Sequence, residues 1–166
     1  MLKAGDEVVV LPSGLTTRIA GIDTADGPVS EAFAPMSVTV RLADDVDVSR
    51  GDMICRTHNQ PRVTQDLDAM VCWLSDQPLG VRGMYAVKHT TRSARAQVRD
   101  LSYRIDVNTL HRDEAATSLS LNEIGRVTLR TTQPMFVDEY RRNRTTGSFL
   151  LIEESTGATV GAGMIL

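Results

Sequence analysis

Lysine is almost missing from this sequence: of 18 basic residues, only Lys3 and Lys88 are lysines. A P-loop needs a lysine after glycine and before serine or threonine, so that its ammonium reaches the phosphates of a nucleotide. Lys3 is followed by Ala4, and Lys88 stands between Val87 and His89. Neither fits, and no Asn-Lys-x-Asp guanine-reading motif is present, so the chain is not a self-sufficient P-loop GTPase. Aromatic residues are scarce at 4%, too few to line a pocket for a small organic ligand. Cysteine is limited to Cys55 and Cys72, both in apolar settings and too few to make up a zinc ligand set. Buried reduced thiols are expected, not a redox pair or zinc ligands. No apolar run nears the ~20 residues that a membrane helix needs. Met1 to Asp6 has neither the apolar core nor the cleavage site of a signal peptide. A cytoplasmic location is the expectation.

Histidine is also sparse. His58, His89 and His111 are scattered and read as surface or strand-end side chains. Asp44-Asp45 and Asp113-Glu114 are adjacent acids with no third ligand nearby, so they read as solvated turn residues. No catalytic, cofactor-binding or metal-binding residue is assigned.

What is present is a period of two. Met36 to Leu42 alternates apolar and polar, as a half-buried strand does. Glu7 to Leu11 is an apolar run closed by the turn Pro12-Ser13-Gly14, with Leu15 to Ile22 as the returning strand. Asp23 to Val29 reads as a loop and Met53 to Arg56 as a strand. Further strands are expected at 67–74, 84–91, 94–110, 124–130, 148–153 and 158–166. In the third of these the apolar phase changes, from Ala94, Ala96 and Val98 to Leu101, Tyr103, Ile105 and Val107. One inserted residue restores the inward face, so a β-bulge is placed at Arg99–Asp100. No segment sustains a helical repeat. Many short antiparallel strands in two groups predict an all-β chain of two small barrels. The division is 1–59 for a partial first barrel, 60–66 for a polar, proline-containing linker, and 67–166 for the second barrel.

Net charge is −3 in all, divided as −4 over residues 1–66 and +1 over residues 67–166, so charge alone does not call for nucleic acid. The one basic cluster is Tyr140-Arg141-Arg142-Asn143-Arg144. Arg141, Arg142 and Arg144 could grip phosphates or reach an acidic protein surface; we rank the protein contact first.

Several segments resemble the two β-barrels that follow the GTPase domain in elongation factor Tu and its relatives. These are Lys3-Ala4-Gly5-Asp6-Glu7-Val8, Ser49-Arg50-Gly51-Asp52-Met53 and Gly157 to Ile165. Five others resemble the large, GTP-binding subunit of bacterial sulfate adenylyltransferase: Glu31 to Met36, Met70 to Trp73, Tyr103 to Thr109, Leu121 to Gly125 and Thr146 to Phe149. That family forms adenylylsulfate and pyrophosphate from ATP and sulfate, driven by GTP hydrolysis, and some members continue into an adenylylsulfate kinase. The resemblance implies that GTP and Mg belong to a domain outside this chain. It places adenylyl transfer in a separate small catalytic subunit and leaves a non-catalytic scaffold here. It also implies that about two strands of the first barrel precede Leu2, leaving Val8, Val10, Val38 and Val40 under-covered and favouring a homodimer through the open barrel. The alternative is an RNA-binding barrel pair of a translational GTPase, using the Arg141–Arg144 loop.

Overall fold

A computed structural model describes all residues, 1–166, and contains strands, turns and bends but no helix. The chain divides into two compact units, Met1–Gln60 and Pro61–Leu166.

The second unit contains β8 (Arg62–Trp73), β9 (Leu79–Gly80), β10 (Met84–His89), β11 (Arg92–Ile105) and β12 (Arg112–Asp113). It continues with β13 (Ser118–Leu119), β14 (Ile124–Val137), β15 (Ser148–Ile152) and β16 (Thr159–Ile165). The order β10-β15-β16-β8-β14-β11, with β10 pairing back onto β11, closes a six-stranded antiparallel barrel. Closure removes the free edges that an open sheet would expose. Alternate residues fill its interior: Leu67, Ala69, Val71 and Trp73 from β8 meet Val127, Leu129, Val87 and Leu151, all buried. Trp73 packs edge-to-face on Tyr85, with ring centroids 5.3 Å apart, and its indole N–H donates to Gln77 O at 2.7 Å. A buried indole with a satisfied N–H costs nothing in lost hydrogen bonding. The short β9–β13 pair adds Leu79 and Leu119 to the same core.

The bulge lies where the phase change places it. Val98 faces Leu129 and Asp100 faces Thr128, leaving Arg99 without a partner on β14. Ala94, Ala96, Val98 and Leu101 thereby all point inward. A second irregularity, between Leu101 and Tyr103, has no counterpart in the sequence reading. Residues 62–66, expected as linker, are the opening of β8. Val63 and Thr64 pair with Phe136 and Met135 because β14 runs on to Val137 instead of ending at Arg130. Val63 is exposed, so the hydrophobic pattern that marks a strand is absent there.

The first unit is built from β1 (Leu2–Lys3), β2 (Glu7–Leu11), β3 (Leu15–Thr24), β4 (Gly27–Val29), β5 (Glu31–Ala32), β6 (Thr39–Leu42) and β7 (Met53–Arg56). β2 and β3 form the expected hairpin, with Gly14 at φ +75°, a conformation that glycine adopts without a Cβ clash. The loop expected over residues 23–29 is instead a second hairpin. β3 extends to Thr24 and pairs with β4, and the Thr24 hydroxyl donates to Gly27 O at 3.0 Å. The order β4-β3-β2-β7, with β6 also on β3, does not close, which makes this unit a half-barrel. Its core is Val8, Ile19, Ile22 and Ala32. The expectation that Val8 and Val10 lose cover is incorrect: they are 0% and 1% exposed. The β1–β5 pair brings Ala32 into the core with Val8 and packs Leu2 against it. Val38 and Val40 pack against this core but are only half-buried.

Candidate interaction face

The arginine cluster lies on a loop, residues 138–147, that the barrel holds firmly. Asp138 N–H donates to Thr146 O at 3.2 Å, and the Thr146 hydroxyl returns a bond to Asp138 Oδ2 at 2.7 Å. Tyr140 N–H donates to Ile165 O on β16 at 2.9 Å, and Arg142 and Asn143 N–H both donate to Glu139 O. The Ser148 hydroxyl donates to Arg144 O at 2.7 Å. Gly147 has a packing reason: a Cβ there would collide with the Tyr140 backbone and lie 2.6 Å from Asn143 O.

His89 ties this loop to the barrel. It is 2% exposed, and its Nε2 lies 2.8 Å from Thr146 O. A carbonyl can only accept, so the Nε2 proton is the one donated. The sequence reading of His89 as a surface or strand-end side chain is therefore half right: it ends β10 but is buried. His58 and His111 are exposed.

Beside the loop, the outer surface of β10, β15, β16 and β8 departs from the usual pattern of an antiparallel sheet, whose solvent face is polar. Register places Lys88, Leu150, Ala162 and Cys72 in one row across the four strands. A second row holds Ser148, Met164 and Met70. Leu150 and Met164 are 41% and 37% exposed. Two grooves, of about 750 and 390 Å³, share Tyr140 and Met164 as a common wall. Arg144 and Lys88 line the larger and Arg141 the smaller; Arg142 lines neither. The three arginines are thus neighbours in sequence but not equivalent in space.

Charge pairing is uneven across the barrel. Across the barrel, Arg126 is bidentate to Asp68 and Arg95 to Glu154, while Arg104 bridges Asp113 and Glu123. The Arg126 guanidinium, by hydrogen bonding, holds the Asp68 carboxyl below the usual carboxylate range. Lys88, Arg141, Arg142 and Arg144 have no carboxylate partner; Arg144 lies over the Tyr140 ring at 5.9 Å, and Lys88 bonds only Thr91 O and Ser93.

Other sequence candidates resolve into structural roles. Asp44 accepts from the Thr17 hydroxyl at 2.8 Å, and Asp113 pairs with Arg104. Cys55 and Cys72 are free thiols but half-buried, not fully buried as expected, because both lie on outward strand positions. Burial still pushes the Cys55 thiol upward. Sequence reasoning missed Lys88, Met70, Cys72 and Met164 as one surface. A signal was there: Ala69 to Leu74 is apolar at every position, and a strand with one face in water would alternate.

A family model described as GTP-eEF1A C-terminal domain-like matches residues 66–166. The chain is 62% identical along its whole length to the bifunctional enzyme CysN/CysC of Mycobacterium tuberculosis (strain ATCC 25618 / H37Rv), of which it spans 27%. It is 39% identical, again over its whole length, to sulfate adenylyltransferase subunit 1 of Bacteroides fragilis, spanning 35% of that protein. Among solved structures, Sup35 complexed with GDP superposes with a TM-score of 0.87 at 22% identity, covering 99% of this chain and 41% of that one. That likeness establishes the fold. The chain therefore spans about a quarter to a third of the curated relatives it matches.

Proposed function

Since the chain belongs to the GTP-eEF1A C-terminal domain-like family, we propose that it is the non-catalytic barrel region of a sulfate adenylyltransferase GTPase subunit. The observation that carries the reading is identity along the whole chain to proteins named for that activity, 62% in one and 39% in another. In this role the barrels couple GTP hydrolysis to the reaction of ATP and sulfate that yields adenylylsulfate and pyrophosphate. GTP and Mg would be held by a GTPase domain and adenylyl transfer carried out by a small catalytic subunit. The barrels can transmit a nucleotide state only if their contacts differ in free energy between the two states. The closed, ion-paired sheet of the second unit suits that task because it has no free edge to deform. Arg141, Arg142 and Arg144 contribute the contact to a protein partner.

Self-association belongs to the same reading. β7 pairs only with β2, and Val38, Val40, Leu42 and Ile54, packed against the core of the half-barrel, stay half-buried. A second copy can supply both edge hydrogen bonds and apolar cover.

The test is binding of the purified chain to the small catalytic subunit of a matching sulfate adenylyltransferase, with GTP turnover and adenylylsulfate synthesis assayed alongside. Saturable binding with neither activity in the chain alone supports the reading. No binding, or GTP turnover abolished by a substitution within these residues, overturns it. Tight, salt-sensitive binding to transfer RNA that is lost in an Arg141/Arg142/Arg144→Ala variant would favour a translational role.

A further inference from the structure

On the outer face of the barrel, an apolar strip and a set of unpartnered cations lie together. Leu150, Ala162, Met164, Met70 and Cys72 form the strip across β15, β16 and β8. Lys88, Arg144 and Arg141 stand along the grooves that flank it. Leu150 and Met164 are exposed, an arrangement that marks an interaction site when polar groups rim it. Methionine side chains are unbranched and polarizable, so this strip can adjust to the side chains of a partner.

We infer that this face docks an extended protein segment in which carboxylates alternate with aliphatic side chains. The carboxylates would meet Lys88, Arg144 and Arg141, and the aliphatic groups would enter the two grooves on either side of Tyr140 and Met164. Two observations favour such a segment over a nucleic acid. The strip between the cations is apolar, which suits aliphatic side chains and not phosphates, and base stacking would have Tyr140 as its only aromatic among the groove residues apart from Phe149, which is buried in the core. The cations are also held for the purpose: Arg141 and Arg144 extend from a loop whose backbone is fixed by His89, Ile165 and Ser148. Little backbone entropy then remains to be lost on binding.

The inference rests on the reading of the chain as an interaction module, but its test uses no catalytic subunit, so the two can fail separately. The full chain is titrated with a short peptide alternating glutamate with leucine or valine, and with an oligothymidylate of equal charge. Backbone amide NMR shifts report the site. The expected result is saturable peptide binding that shifts residues 70–72, 148–150 and 162–164. K88E/R144E should weaken it about tenfold, through the loss of complementary charge. Met164→Glu should do likewise, with each variant retaining the parent melting temperature. A peptide alternating glutamate with serine should bind more weakly. Absence of peptide binding, binding indifferent to both variants, or tighter binding of the oligonucleotide at these residues would overturn the inference.

Discussion

His89 shows how much one buried polar side chain can hold. Its imidazole donates to Thr146 O from a site that water does not reach. His89→Ala removes that bond and opens a cavity beneath the arginine loop, so about 2 kcal/mol of stability should be lost. Urea denaturation would measure it, and hydrogen exchange should quicken first at Thr146 and Gly147. A variant that loses stability while the loop amides stay protected would show that His89 supports only the core. Asp68 illustrates a charge effect of definite sign. Hydrogen bonding to Arg126 holds its folded pKa below the ordinary carboxylate range. A lowered carboxylate pKa stabilises the fold above the unfolded value, and the gain is lost as pH falls through the folded value. The pair is about two-fifths exposed, so solvent screening keeps its contribution small. Asp68→Asn should therefore narrow the difference in stability between pH 7 and pH 3, read from paired denaturation curves. Equal pH dependence in parent and variant would contradict it.

Among the elements, β11 carries the most consequential irregularity. Arg99 is the extra residue that lets Ala94, Ala96 and Val98 share the interior with Leu101. Deleting it forces one side of the strand to turn its apolar residues outward, at a cost of about 3 kcal/mol or more. Arg99→Ala keeps the register and, at an exposed position, should change stability by no more than about 0.5 kcal/mol. Thermal melts of the two variants decide the matter, and similar melting temperatures would mean that the bulge is dispensable. The 138–147 loop makes a related point. Its sequence reads only as a basic cluster, yet hydrogen bonds to β16 and the close fit at Gly147 fix its course.

For the molecule as a whole, the two units differ in completeness. The second closes its barrel within residues 61–166, whereas the first leaves β7 with a single partner strand. A fragment of residues 61–166 should unfold cooperatively by itself, because its edges are paired and its core is internal. The full chain should sediment as a dimer at micromolar concentration, with salt having little effect, since edge pairing and apolar cover are not ionic. A monomer whose residues 7–56 are uniformly protected from exchange would remove the case for self-association. No helix is long and apolar enough to cross a membrane.

The sequence by itself determined the all-β class, the Pro12-Ser13-Gly14 hairpin and the bulge at Arg99, because alternation and turn chemistry act over a few residues. Its motifs also pointed to the sulfate-activating relatives that identity along the whole chain supports. Tertiary structure alone decided the rest. Whether residues 62–66 became strand depended on how far β14 ran, a pairing partner some seventy residues away. Burial of His89 depended on the return of Thr146, and the outer face depended on three strands from distant parts of the chain lying in register. Local pattern records which way a side chain points. Only closure of the barrel settles which side chains it stands beside.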